Sequence, residues 1–222
     1  NPQNNKTTTP GYKQTELGEI PVDWECERLG VLGRFKNGIN KDAASFGHGN
    51  PFVNLMDVFG KPSIDGDEEF GLIASTDTDI KEYDLRVGDV LFIRSSVKPS
   101  GVGLTSVIRK SLPKTVYSGF LIRFRTGDRL NDRFKEYCFY QEDFRNRIIA
   151  ASSVSANTNI NQDNLKSLYL TYPSSLEEQA SIATFLSDMD SEITALEQRL
   201  NKTQQIKQGM MQELLTGKTR LV

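Results

Sequence analysis

The chain has 222 residues, enough to bury a sizeable core and to form about one or two domains. Hydrophobic residues make up 37% and charged residues 25%, as in an ordinary globular protein, and the formal net charge is −2. Two distant cysteines, Cys26 and Cys138, and one histidine, His48, do not supply a zinc site, so we expect no bound metal. Neither an apolar run of transmembrane length nor a signal peptide is visible, which favours a cytoplasmic protein with no membrane partner.

Charge is segregated along the chain. Residues 57–84 carry nine acidic and two basic side chains, whereas residues 85–147 carry thirteen basic and six acidic ones. A basic segment inside a nearly neutral chain is compatible with nucleic-acid binding, although many such segments are only solvated faces. Composition alone therefore leaves the kind of partner open.

Predicted elements alternate between strands and short helices up to residue 172. Residues 1–10 are predicted to be a disordered leader, and the chain begins with Asn1 rather than methionine, as a piece of a longer protein can. An extended lead-in is predicted over residues 11–29, anchored by Trp24. Strands are predicted at 52–58, within 86–93 after a turn, and at 105–108, 116–124 and 169–172, with loops at 60–80, 95–104 and 151–159. A helix is predicted over 131–150, capped by Asn131 or Asp132, and a short helix or turn over 160–168. Residues 11–172 are therefore predicted to form one mixed α+β domain.

A single long helix is predicted over residues 176–216. Pro173 ends the last strand, Ser174 and Ser175 each begin an S-x-x-E capping pattern, and Gly217 is a natural stop. Apolar residues then recur in steps of four and three, the 3.5-residue seam of a coiled coil. The predicted seam residues are Ile182, Leu186, Met189, Ile193, Leu196, Leu200, Met210 and Leu214.

Charge along this helix predicts the direction of a partner helix. Residues 176–198 carry six acids and no base, whereas residues 199–222 carry five bases and one acid, which suits the helix dipole. Parallel copies would set acid against acid, so we expect an antiparallel partner, from a second copy or from another chain. A helix that lies across its own domain is the alternative. Thr203 and Lys207 occupy polar positions of the seam and weaken or specialise it.

The ordered segments resemble a specificity (S) subunit of a type I DNA restriction-modification system. The matching pieces are residues 12–21 with Trp24, GDVL at 88–91 before a basic loop, NTNI at 157–160 before a short helix, Pro173 with residues 178–179 and 182–183, and KQGMMQELL at 207–215 with Gly217 and Lys218. They cover nearly the whole chain after residue 10. Their order and spacing ahead of a coiled-coil helix make the resemblance specific.

This resemblance implies a target-recognition domain at 11–172, which reads one half of a bipartite site in double-stranded DNA. The conserved helical region at 173–222 would dimerise or dock methyltransferase (M) and restriction (R) subunits, and those partners, not this chain, would use S-adenosylmethionine and ATP. Typical members have two recognition domains and two conserved regions, whereas this chain has one of each. It is either a half-subunit that forms an antiparallel homodimer or one half of a longer subunit.

Candidate DNA contacts lie in polar and basic loops, because recognition needs hydrogen-bonding groups at base edges and cations at phosphates. The loop at 94–101 offers Arg94, Ser95, Ser96, Lys98 and Ser100; the loop at 152–159 offers Ser155, Asn157, Thr158 and Asn159; elsewhere the candidates are Lys41, Arg109, Lys110 and Lys114. The alternative is that the first loop is an ordinary strand connection and the second a polar turn that caps the following helix.

Two further arginines have an open assignment. Arg123 and Arg125 alternate on one face of a predicted strand, where they either serve DNA or pair with the acidic loop at residues 65–69. That acidic loop would repel DNA, so we expect it away from the groove. His48 is interpreted as a surface loop residue.

Catalysis by this chain is not expected. A methyltransferase would need a glycine-rich turn and an Asn/Asp-Pro-Pro-aromatic tetrad, and the sequence offers only Asn50-Pro51-Phe52. A metal nuclease would need an acid followed by Glu-x-Lys on a strand, and one histidine is a poor supply for acid–base chemistry. The alternative to a DNA-binding subunit is a coiled-coil scaffold that does not bind DNA.

Overall fold

The computed structural model describes residues 9–154 and 156–221. The described chain forms two compact units, one ending at Ser181 and the other beginning at Ile182. The predicted α+β fold class with a long C-terminal helix is confirmed. The units divide after Ser181, and the predicted domain bounds at residues 172 and 173 stay a prediction. The predicted leader is described only at Thr9 and Pro10, and the Thr9 hydroxyl donates to Glu19 at 2.9 Å.

The elements alternate as follows. The strands are β1 (Tyr12–Thr15), β2 (Gly18–Pro21), β3 (Trp24–Arg28), β4 (Gly33–Asn37), β5 (Phe46–Val53), β6 (Ser63–Ile64), β7 (Gly71–Ile73), β8 (Val90–Ile93), β9 (Ser95–Ser96), β10 (Thr105–Ile108), β11 (Val116–Tyr117), β12 (Leu121–Thr126), β13 (Ser153–Val154), β14 (Thr158–Asn159) and β15 (Tyr169–Pro173). The helices are α1 (Leu29–Leu32), α2 (Leu55–Val58), α3 (Asp77–Glu82), α4 (Lys135–Cys138), α5 (Glu142–Ala150), α6 (Gln162–Ser167) and α7 (Leu176–Leu215), with 3₁₀ turns at Ala43–Ser45 and Pro99–Gly101.

The core is built on a five-stranded sheet in the order β4-β12-β8-β10-β6, which is antiparallel except for the parallel pair β10 and β6. Every residue of β8 is buried, as its unbroken apolar run Val90–Ile93 predicts. Every residue of β10 is buried as well, including the polar Thr105 and Ser106. Gly88 starts β8 from a turn with φ +81°, a conformation that favours glycine. Leu91, Ile93 and Ile108 pack in one hydrophobic cluster on this sheet.

Smaller sheets complete the domain. Strands β11, β5 and β7 form a three-stranded sheet, β1 and β2 form a hairpin, and β15 pairs antiparallel with β3. This last pair joins the start of the domain to its end. The indole of Trp24 then donates to Glu178 in the first turns of α7 at 3.1 Å, so the predicted anchor contacts the beginning of the long helix.

Two predicted segments differ from the structure near residue 54. The predicted strand 52–58 ends at Val53, because Asn54 caps a helical turn: its side chain accepts from the Leu55 amide at 2.8 Å, and Asp57 accepts from the Asn54 amide at 2.8 Å. The predicted loop 60–80 contains β6, β7 and the start of α3. Alternation of apolar residues over so few positions is too short to predict such strands.

The predicted helix 131–150 is two helices. Asn131 accepts hydrogen bonds from the amides of Arg133 and Phe134, as a cap would, but the helix breaks between Cys138 and Glu142. Phe139, in the break, is buried with its ring centroid 5.1 Å from that of Phe92. Packing of this aromatic ring outweighs continuation of the helix. The predicted strand 116–124 is likewise interrupted, at residues 118–120, between β11 and β12.

The long helix begins and ends close to the predicted residues. Leu176–Leu215 is helical, the Ser175 hydroxyl accepts from the Glu178 amide at 3.3 Å, and Gly217 has φ +73°. Gln179 is buried and satisfies three backbone groups, the Asn131 amide and the carbonyls of Arg129 and Pro173. These bonds fix the first turns of α7 in the domain.

Candidate nucleic-acid interface

The structure joins the two loops that the sequence singled out. Strand β14 pairs antiparallel with β9, placing Thr158 opposite Ser96 and Asn159 opposite Ser95, and β13 adds a third strand. Loops separated by about fifty residues in the chain therefore form one surface. We call residues 94–101, 152–154 and 156–159 the loop surface. Ser155, another predicted contact, lies outside the described residues.

The cations of the loop surface lie apart from carboxylates. Arg94 is half-buried and donates only weakly to the Gly119 carbonyl, at 3.4 Å, while Lys98 is exposed. Neither forms an ion pair within the described residues. The serines, Asn157 and Asn159 add hydroxyl and amide groups of the kind that bond to base edges and phosphates. Thr158, another predicted contact, is buried beneath this surface at 2% exposure.

Arg145 of α5 braces the 3₁₀ turn of the loop surface from behind. Its Nη2 donates to the carbonyls of Ser100 at 3.0 Å and Val102 at 2.6 Å. Burial lowers the pKa of this guanidinium from its ordinary value. The same turn packs closely: a Cβ at Gly103, where φ is +65°, would lie 2.3 Å from the side chain of Ile148. The loop is therefore held in one shape by groups beneath it.

A cleft of about 590 Å³ opens beside the loop surface. Its lining residues are Asn54, Leu55, Met56, Phe59, Ser95, Ser96, Val97, Lys98, Ser100, Phe120 and Asn157. Val97 comes from the loop surface itself, whereas the other apolar members come from α2, from Phe59 just after it and from the turn before β12, none of which the sequence marks as a site. Only their exposure in the fold distinguishes them from core residues.

Arg109 and Lys110 have different surroundings from Lys98. Arg109 forms two hydrogen bonds with the buried carboxylate of Glu136, at 2.8 and 2.6 Å, and a third with Asp65 at 3.1 Å. The bonds to Glu136 raise the pKa of Arg109. Lys110 pairs with Asp67 at 3.1 Å. Glu136 of α4 and the acidic loop would therefore compete with phosphate for these two cations, and their predicted contact with phosphate stays a prediction.

Arg123 and Arg125 pair with acids other than the expected ones. Arg125 contacts the buried carboxylate of Asp89 through two hydrogen bonds of 2.7 Å, and Arg123 contacts Asp84 at 2.8 Å. The alternative that they pair with residues 65–69 is therefore wrong. Asp84 and Asp89 lie on either side of the turn that precedes β8, and the fold places this turn next to β12.

The other single candidates are dispersed. Lys41 pairs with Asp79 at 2.9 Å, and this hydrogen bond contributes to a lowered pKa of Asp79. Lys114 is exposed in a turn with φ +57°. His48 is exposed, as expected, but it lies in β5 rather than in a loop. The structure brings none of these three side chains into the loop surface.

The predicted seam of α7 carries exposed apolar side chains. Met189, Ile193, Leu196, Leu200 and Met210 each expose between 48% and 58% of their surface, and Ile182, Leu186 and Leu214 are partly buried. Thr203 and Lys207 are exposed. Ile206 and Met211, which the heptad count left out, are exposed beside the polar seam positions. They widen the apolar stripe where the seam itself is polar.

Two kinds of site are absent from the part of the chain that the structure describes. Within residues 9–154 and 156–221, no cluster of three or more histidine, cysteine, aspartate or glutamate side chains has a geometry that could hold a metal ion. In the same part of the chain, no helix combines the length and the apolar character needed to cross a membrane.

Comparison with known proteins places the fold. A family model described as "Type I restriction modification DNA specificity domain" matches residues 21–208. A putative type I restriction enzyme MjaX specificity subunit from Methanocaldococcus jannaschii is 28% identical over 209 residues, which are 92% of this chain and 48% of that protein.

Solved structures agree at the level of the fold. A chain from a study of complex assembly and conformational transition of the type I R-M system aligns with a TM-score of 0.64 and 18% identity over 91% of this chain and 48% of its own length. An HsdS subunit from Thermoanaerobacter tengcongensis aligns with a TM-score of 0.59 and 20% identity, covering 91% and 47%. This chain therefore spans about half the length of these relatives. Since the family match extends over most of its residues, the chain belongs to the type I restriction-modification DNA specificity domain family.

Proposed function

We propose that this chain is a sequence-specific DNA-binding subunit that reads one half of a bipartite site with its loop surface. The observation that carries the proposal is the pairing of β9 with β14, which brings two polar loops together with cations that no carboxylate of the described residues neutralises. Strands and turns of this size fit the major groove of DNA, where each base pair presents a distinct pattern of donors and acceptors. Membership in the specificity family supports the same reading.

We further propose that α7 joins this half-reader to its partners. Methyltransferase and restriction subunits would assemble on the helical region, and they would supply S-adenosylmethionine chemistry, ATP use and cleavage, while this chain remains non-catalytic. The acidic first half and basic second half of the helix favour an antiparallel homodimer. Two recognition domains related by a twofold axis would read an inverted-repeat site. A complex that reads DNA acts where DNA is, so we place it in the cytoplasm.

The test is a methylation map. The chain is co-expressed with a methyltransferase subunit of its own system, and modified adenines are read across the host DNA by long-read sequencing. A bipartite inverted-repeat motif that appears only with this chain is the expected result. An asymmetric motif would replace the homodimer with a different second domain. If the chain is instead a scaffold that does not bind DNA, the co-expressed proteins would be soluble and the chain would have the solution mass of its assembly. No new methylation motif would then appear.

The homodimer has its own test in the polar seam positions. Replacing Thr203 and Lys207 by Leu is expected to tighten self-association, because both changes add apolar surface to the proposed seam. Sedimentation equilibrium measures the dimer affinity. The control replaces Thr194 and Lys202, a matched threonine and lysine off the seam, by Leu. Equal affinities for the seam variant and wild type would place these positions outside a self-pairing interface.

A further inference from the structure

The apolar part of the cleft beside the loop surface has no role in the function proposed above. Met56, Phe59, Val97 and Phe120 line it, and they expose 70%, 46%, 83% and 58% of their surface. Single exposed apolar residues are normal, but four that converge on one cleft are a feature of binding sites. We call these four side chains the apolar cleft.

The walls of the apolar cleft are supported by contacts within the chain. On one side, the capping box of Asn54 and Asp57 closes the helical turn α2, which carries Met56 and leads into Phe59. On the other side, Gly101 packs so tightly that an added Cβ would lie 2.3 Å from the Ser96 hydroxyl and 3.1 Å from the Phe59 ring. The two walls therefore pack closely against each other around the cleft.

Charge at the rim identifies the kind of partner. Lys98 lines the cleft, and it forms no ion pair within the described residues. The carboxylate of Asp57, next to Met56 in the sequence, accepts from the Asn54 amide at 2.8 Å and is not among the residues that line the cleft. Ser95, Ser96 and Asn157 add polar groups to the same lining. An apolar cleft with a cationic and polar rim is complementary to a polyanion that also presents apolar groups.

Duplex DNA presents one such group in its major groove. Among the base-edge atoms there, nitrogen and oxygen atoms donate or accept hydrogen bonds, whereas the C5-methyl group of thymine is apolar and is contacted by apolar side chains. We propose that the apolar cleft binds thymine C5-methyl groups of the half-site, and that Met56, Phe59, Val97 and Phe120 are specificity-determining residues. Lys98 then lies beside the DNA phosphates and Asn157 beside the adjacent base edge. This proposal rests on the proposed function.

The experiment compares thymine with 2′-deoxyuridine, which lacks only the methyl group. The full chain, assembled with its methyltransferase subunit, is titrated with duplexes that carry the mapped motif, each with one thymine replaced by deoxyuridine. At one or more thymines, the affinity is expected to fall about threefold to fivefold, because the burial of one methyl group is lost. The other replacements should leave the affinity unchanged.

Variants assign the effect to the cleft. Phe120→Ala and Met56→Ala are expected to bind the thymine duplex as weakly as wild type binds the sensitive deoxyuridine duplex, and to lose the discrimination between them. Val31→Ala removes an equally exposed apolar side chain from α1, outside the cleft, and should keep both the affinity and the discrimination. A thermal melt of each variant, expected to match wild type, excludes unfolding as the cause.

Other outcomes overturn the proposal. Specific binding that is insensitive to deoxyuridine at every position would retain the proposed function and remove the thymine contact. Discrimination that persists in Phe120→Ala and Met56→Ala would place the contact elsewhere. Loss of methyltransferase assembly in these variants, with DNA binding intact, would make the cleft a protein-docking site. Failure to find any motif-specific binding would remove both the proposed function and this inference.

Discussion

Two regions of the domain carry cations, and they differ in what surrounds each cation. Around Arg109, Lys110, Arg123 and Arg125, every one of these side chains contacts a carboxylate of the same chain. On the loop surface, Arg94 and Lys98 have no carboxylate partner within the described residues. In the first region these carboxylates compete with any external anion for the cations, whereas no carboxylate of the described residues does so for Arg94 and Lys98.

The difference teaches that a basic segment of sequence is not a basic surface. The excess of bases over acids in residues 85–147 is largely offset by acids from the preceding segment, such as Asp65, Asp67 and Asp84. A phosphate that binds a paired arginine must first compete with its carboxylate. Binding to an unpaired lysine costs only the conformational entropy that is lost when its side chain becomes ordered. The following variants test this contrast.

The largest effect is expected for Arg125→Ala. It leaves the buried carboxylate of Asp89 without its two 2.7 Å hydrogen bonds, and breaking such a pair costs about 3 kcal/mol of the free energy of unfolding. Urea denaturation measures the loss. Arg34→Ala is the control, because Arg34 lies opposite Arg125 on β4 but is exposed. If Arg125→Ala kept its stability but lost DNA binding, Arg125 would serve DNA rather than the fold, and the two regions would not differ in this way.

The next effect concerns DNA affinity. Arg94→Ala and Lys98→Ala are expected to weaken binding of the assembled complex, by about 1–3 kcal/mol at one position of the site if the side chain reads a base. A phosphate contact would instead weaken all sequences alike and reduce the salt slope by about one. Fluorescence anisotropy at several salt concentrations separates the two.

Lys110→Ala is the matched control for the loop cations, since Lys110 is exposed but paired with Asp67. We expect its affinity for DNA and its salt slope to change less than those of Lys98→Ala, because Asp67 competes with phosphate for Lys110. An equal loss of affinity for Lys98→Ala and Lys110→Ala would mean that ion pairing within the chain does not decide which cations serve DNA.

A smaller effect is expected for Arg145→Met, which removes the brace beneath the loop surface. The carbonyls of Ser100 and Val102 lose a charged donor, a change of about 1–2 kcal/mol in local stability. Hydrogen exchange should become faster at residues 98–103, and specific DNA binding should weaken. Arg147→Met is the control, because Arg147 on the same helix donates instead to the Tyr169 carbonyl at 3.2 Å. Equal exchange in the two variants would argue against the brace.

The mildest effect is a dependence of stability on alkaline pH, in the part of the domain away from the loop surface. Burial, and then the hydrogen bond to Glu27 at 2.9 Å, raise the pKa of Tyr172 to about 12. A raised pKa in the folded state means that this stability is present below about pH 10 and is lost as pH rises toward about 12. Tyr172→Phe cannot ionise, so its unfolding free energy should fall less steeply between these pH values. Parallel slopes for the two proteins would contradict the prediction.

Several elements could be predicted from local sequence because local rules decide them. The run Val90–Ile93 after a positive-φ glycine is a buried strand, and the serine cap, heptad spacing and Gly217 define the bounds of α7. The predicted helix 131–150 differs from the structure, since its apolar residues recur on both sides of residues 139–141 while the helical backbone is interrupted there. There the burial of Phe139 among other aromatic rings, a long-range contact, outweighed the local pattern.

The features of the candidate site also divide into those that local sequence predicts and those that depend on the tertiary structure. The sequence by itself determined the two polar loops and the long helix with its polarised charge, because composition and period are local properties. Only the tertiary structure decided that β9 pairs with β14, that Arg145 holds the loop, and that Met56 and Phe120 share one cleft. Pairing and burial depend on which distant segments the folded core brings together. The same reason explains why Lys98 is left unpaired while Arg125 is engaged by Asp89.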